Sequence, residues 1–190
     1  RYYVEDKPTG FLKRFFLKKF SHMKPVPHFP KIIQIQTQSG CNARCAFCPS
    51  GKTVNKLTHG RMDVSLFDSL ADECCAHRPQ RISPYLMNEP LLDAEIDQRI
   101  AYLEKRRRPP TVIHIATNGS RLTRDMAKRL IDAGLDSIAI SFQGFSKEVF
   151  EETMAGLQFE ETFENVTTFL RMCQERDVTM KRRVTMVRTK

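Results

Sequence analysis

Short apolar runs alternate with amphipathic helical patterns along most of the chain. The runs are rich in β-branched residues and are bounded by turn-forming residues, which is typical of buried strands. Each run is followed by a longer segment in which apolar residues recur at helical spacing. The pattern predicts strands at residues 31–38, 82–87, 111–117, 137–141 and 178–187.

Helical segments are predicted between these strands. Asp63 is a candidate N-cap for the first helix, and Gly134 suits the position just after the third. Pro84 cannot donate to a central ladder, so we expect it at the start of the second strand. The predicted helices end near residues 77, 107, 133 and 176.

Strands that alternate with helices predict the α/β class, with a parallel sheet and right-handed crossovers. Units of this kind fit either a doubly wound sheet or an open part of a (β/α) barrel. Because no helix follows the fifth strand, we expect a partial barrel that is truncated at its C-terminus. A chain of 190 residues suits one such domain, which we place at residues 31–190.

Residues 1–30 are predicted to form a separate N-terminal segment. Between Phe11 and Phe20, aromatic and Leu residues alternate with Lys and Arg, so we expect a short basic amphipathic helix, followed by a Pro-rich linker. Its aromatic face is expected to pack on the domain, and weak contact of residues 10–20 with a membrane surface is the alternative. No apolar run approaches the roughly 20 residues that span a bilayer.

Positive charge is concentrated at the two ends of the chain. The net charge is +9, and residues 1–30 and 171–190 each carry seven Lys or Arg against two Asp or Glu. Basic ends of this kind are more often solvated tails than a nucleic-acid groove, so nucleic acid is not an expected partner. An RNA-modifying enzyme that uses these ends is an alternative.

Six cysteines are present, and Cys41, Cys45 and Cys48 fall in one predicted loop. No secretory signal opens the chain, so we expect the reducing cytoplasm, where clustered cysteines are metal ligands. A structural zinc ion needs four protein ligands, whereas three thiolates on a four-iron cluster leave one iron open. Cys74 or Cys75 would complete the site of a non-catalytic zinc-binding module, although their helical position predicts small buried hydrophobes.

Polar and metal-binding groups follow four successive predicted strands. The cysteine loop comes after the first strand, and Asn88 and Glu89 come after the second. Asn118 follows the third strand and Ser141 ends the fourth. The carboxyl ends of parallel strands share one edge, where barrels and doubly wound sheets hold their active sites. We therefore expect these groups to form one site.

The cysteine loop resembles a known motif. It reads CNARCAFC, and the radical S-adenosylmethionine (radical SAM) superfamily carries C-x-x-x-C-x-x-C at the same place, directly after the first strand. The resemblance extends from about Lys31 to the end of the chain. The segments most similar to the branch with an extra C-terminal cluster domain, of the SPASM or twitch type, are IQTQSGCNARCAFCP, GRM near residue 60 and TNGSRLT.

This resemblance implies a partial (β/α) barrel of the radical SAM type and an enzyme with two cofactors. In the family, a 4Fe–4S cluster on three cysteines holds S-adenosylmethionine at its open iron and cleaves it reductively to methionine and a 5′-deoxyadenosyl radical. The radical abstracts hydrogen from substrates that include peptides, sugars and antibiotics. The implied partners are such a substrate and an electron donor, for example a flavodoxin or ferredoxin.

The resemblance also implies roles for single residues. The three cysteines of the loop would bind the cluster, and Phe47 would lie near the adenine. Glu89, with Asn88 in place of a family glycine, would accept from the methionine ammonium. Ser141 would bond the ribose, and Asn118 would lie near the pocket. No residue is assigned as a catalytic acid or base.

Two positions depart from the family pattern. Gln143 stands where the family has an acidic residue, and residues 154–156 read Met-Ala-Gly where Arg-Gly is usual. These positions face substrate or cofactor in relatives, so the substrate class stays open. His114, in the apolar third strand, is predicted to be a core residue. On the fifth strand either Arg182 or Arg183 would enter the barrel, where a guanidinium suits an anionic substrate or the cofactor carboxylate.

Overall fold

The computed structural model describes residues 27–50 and 58–187, so the basic helix predicted at residues 11–20 lies outside the described part. The strands are β1 Ile32–Gln34, β2 Arg81–Ser83, β3 Val112–Thr117, β4 Ser137–Ser141 and β5 Lys181–Thr185. The α-helices between them are α1 Val64–Ala76, α2 Ile96–Arg106, α3 Arg124–Asp132, α4 Lys147–Thr153 and α5 Phe159–Glu175. None of the helices described is long and apolar enough to cross a membrane.

The five strands pair in chain order, β1-β2-β3-β4-β5, and every pair is parallel. Each strand therefore returns by a crossover connection, and crossovers of one hand place the helices on one face of the sheet. The predicted parallel α/β fold is confirmed. A strand order that never reverses is that of an open barrel wall, because a doubly wound sheet reverses its order at a switch point.

The sheet has a helix-covered face and an opposite face, which we call the inner face. Successive strand side chains point to opposite sides, so the two faces draw on alternate residues. On the inner face the register aligns His114 with Ser137 and Ala116 with Ala139. The helix-covered face carries the core, in which five strand isoleucines are at most 1% exposed: Ile82, Ile113, Ile115, Ile138 and Ile140.

The predicted helix ends are set by local side-chain bonds. Asp63 Oδ1 accepts from the backbone N–H of Ser65 at 2.8 Å and so caps α1. Thr123 Oγ1 accepts from the N–H of Met126 at 3.3 Å at the start of α3. Gly134 follows α3 with a φ of +82°, a left-handed conformation that Gly adopts readily. The N-cap at Asp63 and the glycine after α3 are therefore confirmed.

The second strand differs from the pattern-based prediction. β2 ends at Ser83 instead of continuing to residue 87, so Pro84 follows its strand rather than starting it. The chain turns away there because Asn88 Oδ1 accepts from the N–H of Leu86 at 3.1 Å, a local bond that competes with a ladder. The helical patterns predicted up to residue 176 form two helices, α4 and α5, and Gly156, with a φ of +94°, lies between them.

Candidate functional site

A cavity of about 300 Å³ lies beyond the carboxyl ends of the strands. Its volume is at the lower end of the range for small-molecule sites. The wall includes every residue that the sequence assigned to the site, namely Cys41, Cys45, Phe47, Cys48, Asn88, Glu89, Asn118 and Ser141. The parallel topology therefore brings together groups that are spread over a hundred residues of sequence.

The cysteine loop is held against the chain that follows α4. The N–H of Arg44 donates to the carbonyl of Ala155 at 2.7 Å. Gly156 approaches the loop so closely that a Cβ on it would lie 3.1 Å from the carbonyl oxygen of Asn42. The glycine of the family's Arg-Gly pair is thus retained at a position where the loop backbone needs the space.

The loop thiols lie in partly apolar surroundings. Burial, reinforced by the neighbouring Cys41 and Cys48, raises the pKa of Cys45 to about 11. Burial also raises the pKa of Cys41, to which Glu89 and Cys48 add. The three thiolates would repel one another without a counter-charge. A positively charged metal centre stabilises the thiolate form and displaces the protons, so the three cysteines suit such a centre.

Asn118 connects the end of β3 to the cysteine loop. Its Nδ2 donates to Asn42 Oδ1 at 2.9 Å and lies 3.9 Å from Cys41 Sγ. Asn42 Nδ2 donates in turn to Ser120 Oγ at 2.8 Å, and the Ser120 hydroxyl donates to Asn118 Oδ1 at 2.7 Å. These bonds form a closed ring of three side chains, which fixes both amides and holds the start of the loop.

Glu89 belongs to the cavity wall and is 2% exposed. Its carboxylate accepts from Thr117 Oγ1 at 2.6 Å, from the N–H of Asn118 at 2.8 Å and from the N–H of Leu91 at 3.1 Å. Burial raises the pKa of Glu89, and these three donors oppose the rise. No Lys or Arg of the described residues pairs with it, so its charge is held by neutral donors alone.

One neighbour of Glu89 has an unused donor. Asn88 Nδ2 is buried and lacks a hydrogen-bond partner among the described residues, although its Oδ1 is bonded. A buried amide without a partner costs about 1–3 kcal/mol, so an acceptor on a ligand would relieve it. The three thiols on this wall fit a cluster with three protein ligands. The Glu89 carboxylate, which has no cationic partner, and the unused Asn88 donor fit a zwitterionic ligand beside that cluster.

The remaining cysteines lie elsewhere. Cys74 and Cys75 on α1 and Cys173 on α5 are buried in the main core, away from the cavity wall. Across residues 27–50 and 58–187, no group of three His, Cys, Asp or Glu side chains, the loop cysteines included, is arranged to hold a single metal ion such as zinc. Cys74 and Cys75, the candidate fourth zinc ligands, lie in the core and not on the wall that holds the loop cysteines.

Gln143, where the family has an acidic residue, is outside the cavity wall. It is 4% exposed, and its Oε1 accepts from the N–H of Val187 at 2.6 Å. The amide thus joins the chain after β4 to the chain after β5. Asn42, Ser120 and Tyr85 also belong to the site or its support, and the sequence did not predict them. The one local signal was the polar side chain of Asn42 directly after Cys41.

The sequence profile of the radical SAM superfamily matches residues 35–187. The chain belongs to the radical SAM superfamily. A relative, the S-adenosyl-L-methionine-dependent 2-deoxy-scyllo-inosamine dehydrogenase of Niallia circulans, is 28% identical over 123 residues, which are 63% of this chain and 47% of that protein. The chain spans less than half the length of the curated relatives it matches. Membership of this superfamily and the dehydrogenase relative identify an enzyme.

Solved structures share the fold of this radical SAM chain. BtrN in complex with AdoMet and 2-DOIA aligns with a TM-score of 0.59 and 20% identity, over 85% of this chain and 58% of that one. SuiB of Streptococcus suis bound to S-adenosylmethionine aligns with a TM-score of 0.69 and 18% identity, over 94% and 39%. SuiB bound to its precursor peptide SuiA aligns over the whole chain, with a TM-score of 0.68 and 18% identity, and covers 41% of that one. The partial radical SAM barrel is confirmed.

Proposed function

We propose that this radical SAM chain binds a 4Fe–4S cluster through Cys41, Cys45 and Cys48 and binds S-adenosylmethionine beside it. The observation that carries the proposal is the single cavity wall shared by the three cysteines and the five other predicted residues. Relatives of the same fold are described with S-adenosylmethionine bound, which supports the second ligand.

When bound and reduced, the cluster supplies the electron that splits S-adenosylmethionine into methionine and a 5′-deoxyadenosyl radical, which abstracts hydrogen from the substrate. The protein itself binds, orients and excludes water. Glu89 accepts from the methionine ammonium with the lone pairs that its three protein donors leave, and Asn88 Nδ2 donates to the ligand. Phe47 covers the adenine and Ser141 bonds the ribose, while Asn118 orients the loop.

The substrate is a peptide or a small molecule of the sugar or antibiotic type. One relative is named for an inosamine and another is described with a precursor peptide, so both classes have support. The electron comes from a partner such as a flavodoxin or ferredoxin, in the cytoplasm, where the thiols stay reduced. We also propose an auxiliary domain of the SPASM or twitch type in the whole protein.

The direct test is anaerobic reconstitution with iron and sulfide, followed by dithionite and S-adenosylmethionine and an assay for 5′-deoxyadenosine. The Cys41→Ala, Cys45→Ala, Cys48→Ala triple variant should form neither cluster nor nucleoside. The matched control is the Cys74→Ala, Cys75→Ala, Cys173→Ala triple variant, which removes the same number of thiols from the core. Equal nucleoside from the two triple variants would refute the proposal.

The zinc-binding module is tested on the same preparations. This alternative predicts a colourless protein that carries stoichiometric zinc. It also predicts that the zinc is lost when Cys74 or Cys75 is replaced by Ala. Elemental analysis before and after reconstitution separates it from an iron–sulfur protein. An RNA-modifying enzyme predicts RNA binding that weakens steeply with added salt.

A further inference from the structure

The capacity of Glu89 to accept from a ligand is concentrated on one of its two oxygens. Each oxygen of a carboxylate can accept about two hydrogen bonds. Oε1 already accepts from Thr117 Oγ1 at 2.6 Å and from the backbone N–H of Leu91 at 3.1 Å. Among the described residues, Oε2 accepts from the backbone N–H of Asn118 alone, at 2.8 Å. A donor on a ligand in the cavity would therefore meet Oε2.

Thr117 supplies the one side-chain donor to Glu89, and its hydroxyl is held on both sides. The residue ends β3, lines the cavity and is 3% exposed. Its Oγ1 accepts from the backbone N–H of Gly119 at 3.0 Å, which fixes the direction of one lone pair. The hydroxyl proton points to Glu89 Oε1, so the carboxylate is tied to the end of the strand.

The position of Thr117 in β3 shows that the hydroxyl, not the shape of the side chain, sets this residue apart. Thr117 follows Ile113 and Ile115 at alternate positions of the strand, and both isoleucines are fully buried. A valine would continue this apolar series with nearly the same branched shape. A buried hydroxyl is costly unless it is bonded, and here it is bonded to a carboxylate of the cavity wall.

The same bond helps to keep Glu89 charged. Burial raises the pKa of Glu89, and the bond from Thr117 is the largest of the causes that oppose the rise, ahead of the N–H groups of Asn118 and Leu91. A hydrogen bond to the charged form of a carboxylate favours that form. Thr117 therefore affects both the orientation and the charge of the group that faces the ligand.

We propose that Thr117 is a positioning residue for the cofactor, because its bond to Oε1 turns Glu89 so that Oε2 meets the α-ammonium of S-adenosylmethionine. This inference rests on the proposed function and adds a residue to it. Thr117 acts through Glu89 and is assigned no ligand contact of its own. A ligand with a primary ammonium gains from this arrangement, whereas a nucleoside without an amino-acid part gains nothing.

The test compares two ligands on the reconstituted protein by isothermal titration, anaerobically and without a reductant, so that no cleavage occurs. S-adenosylmethionine carries the ammonium, and 5′-methylthioadenosine shares its nucleoside but lacks the amino-acid part. Thr117→Val keeps the branched shape and removes the hydroxyl. We expect this variant to bind S-adenosylmethionine about tenfold or more weakly and to bind 5′-methylthioadenosine as the unaltered protein does.

Thr111→Val is the matched control at the opposite end of β3. Thr111 precedes the strand and is 1% exposed, and its Oγ1 donates to the carbonyl of Pro79 at 2.6 Å. This variant loses an equally buried hydrogen bond far from Glu89, so both affinities should be unchanged. Thr117→Ser retains the hydroxyl and should restore most of the affinity for S-adenosylmethionine.

A double-variant measurement shows whether Thr117 acts through Glu89. In a Glu89→Gln background, which removes the charged acceptor, Thr117→Val should weaken S-adenosylmethionine binding little further. Losses that simply add would contradict the proposed route. If the valine variant does not fold, Thr117→Ala and its control Thr111→Ala carry the same comparison.

Two further results would overturn the inference. One is an equal affinity for S-adenosylmethionine in the Thr117 and Thr111 variants. The other is an equal loss of both ligands in the Thr117 variant, which would mean general damage to the cavity instead of a role directed at the ammonium. Formation of 5′-deoxyadenosine by the unaltered protein tests the proposed function separately, so a failure of one is distinct from a failure of the other.

Discussion

The side-chain amide of Asn118 donates to Asn42 Oδ1 at 2.9 Å across 76 positions of sequence. The bond joins the end of β3 to the residue that follows Cys41, and Ser120 closes the ring of three side chains. The cysteine loop is therefore oriented by the strand that also carries one of the donors to Glu89. Groups of this kind, which hold the ligands without binding the metal, strongly influence metal sites.

Asn42→Ala is expected to weaken retention of the cluster about tenfold or more, because the loop loses its side-chain link to Asn118 and Ser120. Iron and acid-labile sulfide that survive exposure to a chelator measure this effect. Gln98→Ala, an exposed amide on α2, is the matched control. Equal retention in the two variants would show that the ring does not hold the loop.

Asn118→Ala should lower the reduction potential of the reconstituted cluster. The Asn118 amide lies 3.9 Å from Cys41 Sγ, and a donor to a ligand sulfur stabilises the reduced, more negative state. A redox titration followed by electron paramagnetic resonance gives the potential. Asn165→Ala removes an amide that donates to the carbonyl of Ser120 at 2.9 Å and should leave the potential in place. An unchanged potential in the Asn118 variant would contradict the prediction.

Gly119→Ala should destabilise the fold by about 1–3 kcal/mol, because the residue has a positive φ in a crowded place. Its φ is +78°, and a Cβ there would lie 3.0 Å from Val166 Cγ2. Gly60→Ala is the control, since a Cβ at Gly60 would meet nothing within 4 Å. Urea denaturation of both variants gives the free energies of unfolding, and equal values would refute the argument.

Arg99→Met should cost about 3–5 kcal/mol of unfolding free energy, because it leaves a buried carboxylate without its main partner. Arg99 Nε lies 2.9 Å from Asp93 Oδ2, and the two side chains are 3% and 0% exposed. Arg106→Met, on the same helix, breaks an exposed pair with Asp72 and should cost about 1 kcal/mol or less. Thermal or denaturant unfolding measures both, and comparable losses would contradict the ranking.

His114 should titrate below its ordinary pKa of 6.5 in the folded protein. Burial is the main cause, and Arg81 and Arg183 add to it, while its bond to Ser137 opposes them. Because the unfolded chain protonates first, the free energy of unfolding contributed by this group falls as the pH drops through 6.5 toward the folded pKa.

Histidine NMR titration measures the pKa of His114 directly. Arg81→Gln and Arg183→Gln should each raise it toward the ordinary value, because each removes a cation that faces the ring beside Tyr85. Arg182→Gln, on the helix-covered side of β5, should not change it. A pKa at or above the ordinary value in the unaltered protein would refute the electrostatic description of the inner face.

The features of this protein that depend on short-range chemistry are predictable from its sequence. Alternating strand and helix patterns predict the parallel sheet, and the N-cap at Asp63 and the turn at Gly134 mark helix ends, because these features involve residues a few positions apart. The cysteine spacing indicates a cluster loop for the same reason. Even the common location of the site follows, since parallel strands deliver their carboxyl ends to one edge.

Which side chains meet depends on the packing of segments that are far apart in the sequence. Alternation along β5 allows either Arg182 or Arg183 to face inward, and the register with β4 selects Arg183. The ring that contains Asn42 and Asn118 depends on how two distant loops pack, for which no local periodicity exists. Register, loop docking and burial are set by the packing of whole elements. The side of the sheet that a residue faces is therefore defined only once those elements are in place.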